Sequence, residues 1–373
     1  MLKRFTVENY KNFQDPVTLD FSKVGKYKFN ENCLSEGYLG KMMIYGKNGT
    51  GKTNFGRAMV DIRELLFFSR FHRRDDFIKN ANAEKEEVIF TYVFQCGKDE
   101  VEYEYQKNEE NELVAEKLVL NGKEIFHLCS ENKEVASTKL KKLGIKETRV
   151  QSYFEALQES GESFDLSFLR WLLNNTAYTP SSILGKIREE VRGMHYIQTS
   201  KRGNNGLFRL RDIEEEYDKL EVFLNKMGMK CKLKLIDDPV QEKKNLCFDF
   251  KRPVEFFGNA SSGTLALTEF FFRFYPALKN TSILILDEFD AFFHYEMSEN
   301  FFLYLKENYS NVQLVFTTHN TDLMSNGLLR PDCIFILSTE GKLTPLDQAT
   351  ERELREGHNL EKMYHSGEFA DYE

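Results

Sequence analysis

Eight residues, Gly46-Lys47-Asn48-Gly49-Thr50-Gly51-Lys52-Thr53, constrain this chain more than any other feature. They match G-x-x-x-x-G-K-[ST], the phosphate-binding loop, at every defined position. Such a loop works only where a buried strand stops and a helix starts. Its backbone N–H groups must converge on phosphate oxygens while the helix N-terminus faces the same charge. The flanks meet that condition. Leu39, Met42, Met43, Ile44 and Tyr45 predict a buried strand, and Asn54 to Phe71 predict a helix. Gly46, Gly49 and Gly51 allow turns closed to bulkier residues. Lys52 brings positive charge to the β- and γ-phosphates, and the Thr53 hydroxyl can ligate Mg2+. Gly46 to Asn54 are therefore the candidate nucleotide-binding residues, with ATP and Mg2+ as the expected ligands.

Composition narrows the partners. The 373 residues can bury a large core, and a net charge of -8 argues against a whole-surface nucleic-acid binder while leaving room for a local basic patch. Phe occurs 33 times, which points to thick aromatic packing. The cysteines 33, 96, 129, 231, 247 and 333 are scattered without a C-x-x-C pair, so reduced thiols are expected. No run of about 18 apolar residues exists, and Met1 to Phe5 enter a strand pattern at once, so a cytoplasmic protein without a membrane span is expected.

Residues 2–8 and 17–21 alternate like a hairpin, and four β-rich segments between 88 and 126 read as an antiparallel meander. From about 131 to 228 the spacing turns helical, with Phe164, Phe168 and Leu172 four residues apart. Strands return over 230–236 and 245–250, followed by a helix from Thr264 to Leu278. The last third alternates strand and helix in the manner of a parallel sheet. The organisation expected is one α/β domain made of 1–130 and 229–373, interrupted by a helical insertion over 131–228.

Three further segments carry chemistry. Ile283-Leu284-Ile285-Leu286 runs into Asp287-Glu288. A buried strand ending in Asp presents a carboxylate to the metal or one of its waters, and Glu288 is placed to act as general base on the attacking water. Val312 to Phe316 leads into Thr317-Thr318-His319, which puts His319 at a strand end within reach of a γ-phosphate. Asn259-Ala260-Ser261-Ser262-Gly263-Thr264 opens a long helix; Ser261 or Ser262 reads either as an N-cap or as part of an anion site.

In this order and spacing the pieces resemble the ABC-type ATPases of the SMC/RecF/OLD group. The resemblance covers both ends of the chain and leaves the helical middle unmatched. It implies an ABC-type P-loop nucleotide-binding fold with a mixed sheet and an antiparallel β subdomain. It makes Gly46–Thr53 the Walker A loop, Ala260–Thr264 the signature, Ile283–Glu288 Walker B with Glu288 catalytic, Asp290–His294 the D-loop region and His319 the switch histidine. Ser261, Ser262 and Gly263 would then touch ATP bound by a second copy, so that a homodimer or higher oligomer completes each site. Ala260 and Thr264 depart from the usual signature and look like the stand-alone OLD-like branch. The Q-loop glutamine is open among Gln95, Gln151 and Gln158.

Asp287-Glu288-Phe289-Asp290-Ala291-Phe292-Phe293-His294 and the segment Arg355 to Tyr364 are similar to ATPases of bacterial phage-defence and abortive-infection systems. Heptad repeats of the SMC kind are lacking, and the stretch after His319 is too short for an OLD-type nuclease domain. The resemblance therefore implies an ATP-hydrolysing switch that oligomerises around ATP and controls a separately encoded effector, a nuclease or toxin. The alternative is a RecF-like DNA clamp in repair, for which Arg70, Arg73 and Arg74 with Phe71 and Phe77, and Lys139, Lys141 and Lys142, are the candidate nucleic-acid contacts.

Overall fold

Every residue of the strand Lys41–Tyr45 is buried, which requires a sheet covered on both faces. The computed structural model describes residues 1–68, 77–129, 135–145, 150–159, 167–199, 210–238 and 243–373. Among these, Lys41–Tyr45 belongs to a six-stranded sheet ordered Met194–Gln198, Ile283–Asp287, Gln313–Thr318, Lys41–Tyr45, Ile334–Leu337, Leu343–Pro345. The first five strands are parallel and the last is antiparallel. The strand leading to His319 thus lies between the phosphate-loop strand and the acidic strand.

A second six-stranded sheet is antiparallel throughout: Val17–Asp20, Leu2–Glu8, Val88–Cys96, Asp99–Lys107, Leu113–Leu120, Lys123–Cys129. The expected hairpin and meander are its parts. Asn121 and Gly122 turn one hairpin with φ of 51° and 73°, the left-handed pair for which Asn-Gly is best suited. A smaller antiparallel sheet holds Leu233–Asp238, Lys243–Phe248 and Val254–Glu255.

The helix Lys52–Phe67 is clamped between the two large sheets. Phe55 meets Phe5 and Phe13 with ring centroids 5.6 and 6.2 Å apart. On the opposite side Gly56 faces the parallel sheet so closely that a Cβ there would lie 2.9 Å from Tyr196 Cε2 and 3.2 Å from Ile285 Cγ2. Ile285 and Phe316 occupy adjacent rows of the parallel register and so face opposite sides. Phe316 packs on Phe302 of the helix Tyr295–Asn308 at 4.9 Å, which covers the far face.

The clamp on the antiparallel side is polar as well as aromatic. Asp61 of the helix is buried and its Oδ2 accepts from Tyr105 OH at 2.7 Å and Lys107 Nζ at 2.6 Å. Tyr92 OH donates to Ala58 O at 2.8 Å. The Lys107 ammonium lies 5.5 Å from the Phe90 ring centroid, where the ring face favours a cation.

Three segments differ from the sequence expectation. The helix expected over Thr264–Leu278 spans Ser262–Arg273, and a 3-10 turn, Tyr275–Asn280, follows. Pro276 supplies no N–H and disfavours helical backbone in the residue before it. The span 131–228 contains the helices Val150–Glu159, Phe168–Asn175, Ile183–Arg192 and Leu210–Lys226, but Met194–Gln198 is a strand of the core sheet. Gly193 makes that entry possible: a Cβ on it would lie 2.7 Å from Ser282 N, and its carbonyl accepts from that N–H at 3.0 Å. The phosphate-loop helix starts at Lys52 rather than Asn54. Phe71, Phe164, Arg70, Arg73 and Arg74 lie outside the described residues. The six cysteines are unpaired by disulfides, and no described helix is long and apolar enough to cross a membrane.

Removing one partner of a buried ion pair leaves an uncompensated charge. Asp61→Ala is expected to lower the unfolding free energy by about 3–5 kcal/mol, read from urea denaturation; a loss below about 1 kcal/mol would show that the network does not hold the helix.

Candidate nucleotide site

The loop Gly46–Gly51 lies at the carboxyl end of the parallel sheet, between strand and helix. Gly49 and Gly51 take φ of 88° and 101°, conformations that side chains resist. Gly46 is pressed between Thr50 Oγ1 and Leu337 O, at 2.6 and 2.9 Å from where its Cβ would stand. Lys52 is buried and folds over its own loop, its Nζ donating to Gly46 O at 2.6 Å and Lys47 O at 3.0 Å. Burial pushes its ammonium below the usual range, and Glu288, Asp287 and Asp290 pull it back up. Lys47 pairs with Glu373 at 2.6 Å.

Asp287 joins the elements. It is fully buried, and its carboxylate accepts three hydroxyls. Thr53 and Tyr196 donate to Oδ2 at 2.7 and 2.8 Å, and Thr317 donates to Oδ1 at 2.6 Å. Thr53 and Asp287, the residues predicted for Mg2+, are thus in contact. Their oxygens are the hard ligands Mg2+ takes, usually one or two from protein with waters and phosphates supplying the rest. Because Thr53 donates its proton to Asp287, its lone pairs remain for a cation. The residues fit the metal.

Glu288, half-buried, has φ of 49°, an uncommon conformation for a residue with a side chain. Its backbone is held there from two sides: its N–H donates to Thr317 Oγ1 at 2.9 Å and its carbonyl accepts from Thr199 Oγ1. Thr318 repeats the arrangement one residue on, donating to Asp290 Oδ2 at 2.8 Å and accepting from Asn320 N–H at 2.9 Å. Burial raises the pKa of Asp290, and the Thr318 hydroxyl opposes the shift. His319 follows at the strand end and is exposed.

Ser261 caps the helix Ser262–Arg273, accepting from Thr264 N–H at 3.1 Å. Ser261 and Ser262 are exposed, and Gly263 is buried against Phe292, whose carbonyl would stand 2.8 Å from a Cβ. The capping function is therefore present, and the hydrogen bonds of Ser261 stay within its own helix. The structure brings Gly46–Asn54, Asp287, Glu288 and His319 to one sheet edge, with Ser261–Gly263 held against the segment that follows Glu288.

Three residues at this edge were missed from the sequence. Gln198 ends the strand Met194–Gln198 opposite Asp287 in register, and its Oε1 accepts from Arg57 at 3.3 Å. Gln95, by contrast, sits on the antiparallel sheet with Nε2 donating to Gly97 O at 2.8 Å. Gln151 is exposed on a helix, and the Gln158 side chain lies outside the described residues. Tyr196 was hidden because its strand lies within a helical stretch; Gly193 was the available signal. Asn12 clasps the loop, its Nδ2 donating to Thr50 O at 3.0 Å and its Oδ1 accepting from Asn54 at 2.8 Å. Of the basic residues considered for nucleic acid, Lys139 lies 3.9 Å from Glu124, and Lys141 and Lys142 are exposed.

A Cβ on Gly51 would fall 2.2 Å from Asn12 Nδ2. Gly51→Ala is expected to weaken ATP binding by about tenfold or more through backbone strain and this clash, measured by titration with a fluorescent ATP analogue. Asn12→Ala in the same chain should restore part of the affinity; full affinity of Gly51→Ala alone would refute the account.

The SMC head domain from Thermotoga maritima matches with a TM-score of 0.43 at 14% identity, over 92% of this chain and 98% of that one. A Smc head bound to the C-winged helix domain of ScpA matches with a TM-score of 0.44 at 15% identity, over 90% of this chain and 93% of that one. A search of curated proteins by sequence returns no match. The model of the RecF/RecN/SMC N-terminal domain matches residues 1–341. The chain belongs to the RecF/RecN/SMC N-terminal domain family of ABC-type, ATP-binding ATPases.

Proposed function

We propose that this chain is an ATP-hydrolysing switch in which two or more copies close around ATP and Mg2+, and the closed assembly controls a separately encoded effector, a nuclease or toxin, in cytoplasmic anti-phage defence. The observation that carries the ATPase reading is the junction at Asp287, where the phosphate-loop helix, the acidic strand and the histidine strand are hydrogen-bonded into one edge. Backbone N–H groups of Gly46–Gly51 and the Lys52 ammonium bind the phosphates. Thr53 and Asp287 would hold Mg2+, which would neutralise phosphate charge. Glu288 takes a proton from the water that attacks the γ-phosphorus, as the bond from that phosphorus to the ADP leaving group breaks. Gln198, opposite Asp287 in the sheet, takes the place left open for the Q-loop residue, and His319 contacts the γ-phosphate.

Ser261, Ser262 and Gly263 complete the site of a second copy. Two exposed serines at the start of a 12-residue helix support this, since such a terminus favours anions. For the output, the segment similar to phage-defence ATPases is attached to the histidine turn. His365 Nε2 lies 3.1 Å from Thr321 Oγ1, two residues beyond His319, and Asn326 Nδ2 donates to the carbonyls of Arg355 and His358, each at 3.0 Å. A displacement at His319 would therefore reach residues 355–365.

The test is Glu288→Gln. With ATP and Mg2+ it is expected to retain nucleotide, hydrolyse it at least about a hundredfold more slowly, and elute as a closed oligomer by light scattering. Chelation of Mg2+ should return it to the nucleotide-free size. A variant that binds ATP and stays monomeric overturns the switch. Hydrolysis stimulated by duplex DNA, with binding that falls steeply with salt, would assign a DNA clamp instead.

A further inference from the structure

We propose that Tyr196 is a positioning residue for the metal-binding carboxylate, holding Asp287 Oδ2 in the orientation that lets it work with Thr53. The inference rests on the reading of Thr53 and Asp287 as the Mg2+ site. Asp287 Oδ2 is shared by two hydroxyls, Thr53 at 2.7 Å and Tyr196 at 2.8 Å. They come from opposite directions in the fold, Thr53 from the phosphate-loop helix and Tyr196 from the neighbouring parallel strand. When Thr53 ligates a cation, its position is set by the metal and the phosphates. Oδ1 remains fixed by Thr317, and the donor that fixes Oδ2 independently of the ligand is Tyr196. A carboxylate held by one oxygen can swing about that contact; one held by both cannot.

The phenol is suited to this task. Its O–H donates to the carboxylate without adding a charge of its own beside the metal. Its ring is also aimed by the fold. Gly56 leaves the space that the ring occupies, and a Cβ there would come within 2.9 Å of Tyr196 Cε2. Gly56 sits inside a 16-residue helix, where glycine is unfavourable by about 1 kcal/mol relative to alanine. The close approach of Tyr196 gives that glycine a reason.

The experiment uses the full chain with a non-hydrolysable ATP analogue at saturation and titrates Mn2+, followed by the loss of its free electron-spin signal. Tyr196→Phe is expected to raise the Mn2+ half-saturation concentration by about tenfold or more, while analogue binding in EDTA changes by less than about twofold. Gly56→Ala, which pushes the ring without touching Asp287, should reproduce the shift, and the double variant should be no worse than the more affected single one. These results would support the proposal. Wild-type Mn2+ binding by Tyr196→Phe, or additive effects in the double variant, would overturn it. Should Tyr196→Phe fold poorly, Gly56→Ala with wild-type metal affinity would overturn it equally. If the unaltered protein takes up no Mn2+ with the analogue, the metal site itself falls and the proposal with it.

Discussion

The buried carboxylate of Asp287 is the point on which the rest of the site depends. An ionised carboxylate removed from water is stable only if its oxygens are supplied with donors. Asp287 is fully buried, and its donors come from three separate parts of the chain: Thr53, Tyr196 and Thr317. Satisfying one charge therefore fixes the phosphate-loop helix, the acidic strand and both strands beside it relative to one another. The same hydroxyl of Thr317 that donates to Asp287 accepts from Glu288 N–H, so the backbone of the next acidic residue is set by the same contact. Glu288 then occupies a left-handed conformation because its surroundings determine it.

Precision at that junction also requires that the helix carrying Lys52 and Thr53 does not shift, and here the aromatic composition acts. Phe5, Phe13 and Tyr92 pack on one side of the helix, whereas Gly56 allows the parallel sheet to approach on the other. Apolar contact alone is tolerant of sliding. The hydrogen bonds of Asp61 to Tyr105 and Lys107 are directional and sit one helical turn beyond Ala58, whose carbonyl accepts from Tyr92. They fix the helix along its axis as well as against the sheet.

What the sequence revealed and what it concealed divide along a physical line. The phosphate loop, Asp287 with Glu288, and His319 each lie in a contiguous segment whose chemistry is local: glycines where φ must be positive, an apolar run that ends in acid. Gln198, Tyr196 and Asn12 have no such local mark. Gln198 matters because it stands opposite Asp287 in a parallel pairing, and Asn12 because a loop from the first hairpin folds over Thr50. Parallel neighbours are assembled from distant segments, and pairing of that kind leaves no short-range signature. The strand Met194–Gln198 was masked further by the helices on either side of it. The start of one helix was legible from its cap at Ser261, whereas its end was not: the sequence pattern carries it through Pro276 to Leu278, and it stops at Arg273.

The same non-local packing bears on how two sites would communicate in the proposed dimer. The residues from Asp287 to Phe292 form one short path: Ala291 N–H bonds back to Glu288 O at 3.0 Å, and Phe293 N–H to Asp290 O at 3.0 Å. At its end the Phe292 carbonyl presses on Gly263. The helix that presents Ser261 and Ser262 is thereby seated on the turn that carries Asp287 and Glu288 of its own chain. A packed contact without spare volume transmits displacement rather than absorbing it. In the proposed dimer a change of the acidic turn on hydrolysis would then displace the serines as well. Any side chain in place of Gly263 would push this seat apart and so loosen the coupling between the two sites of the proposed dimer.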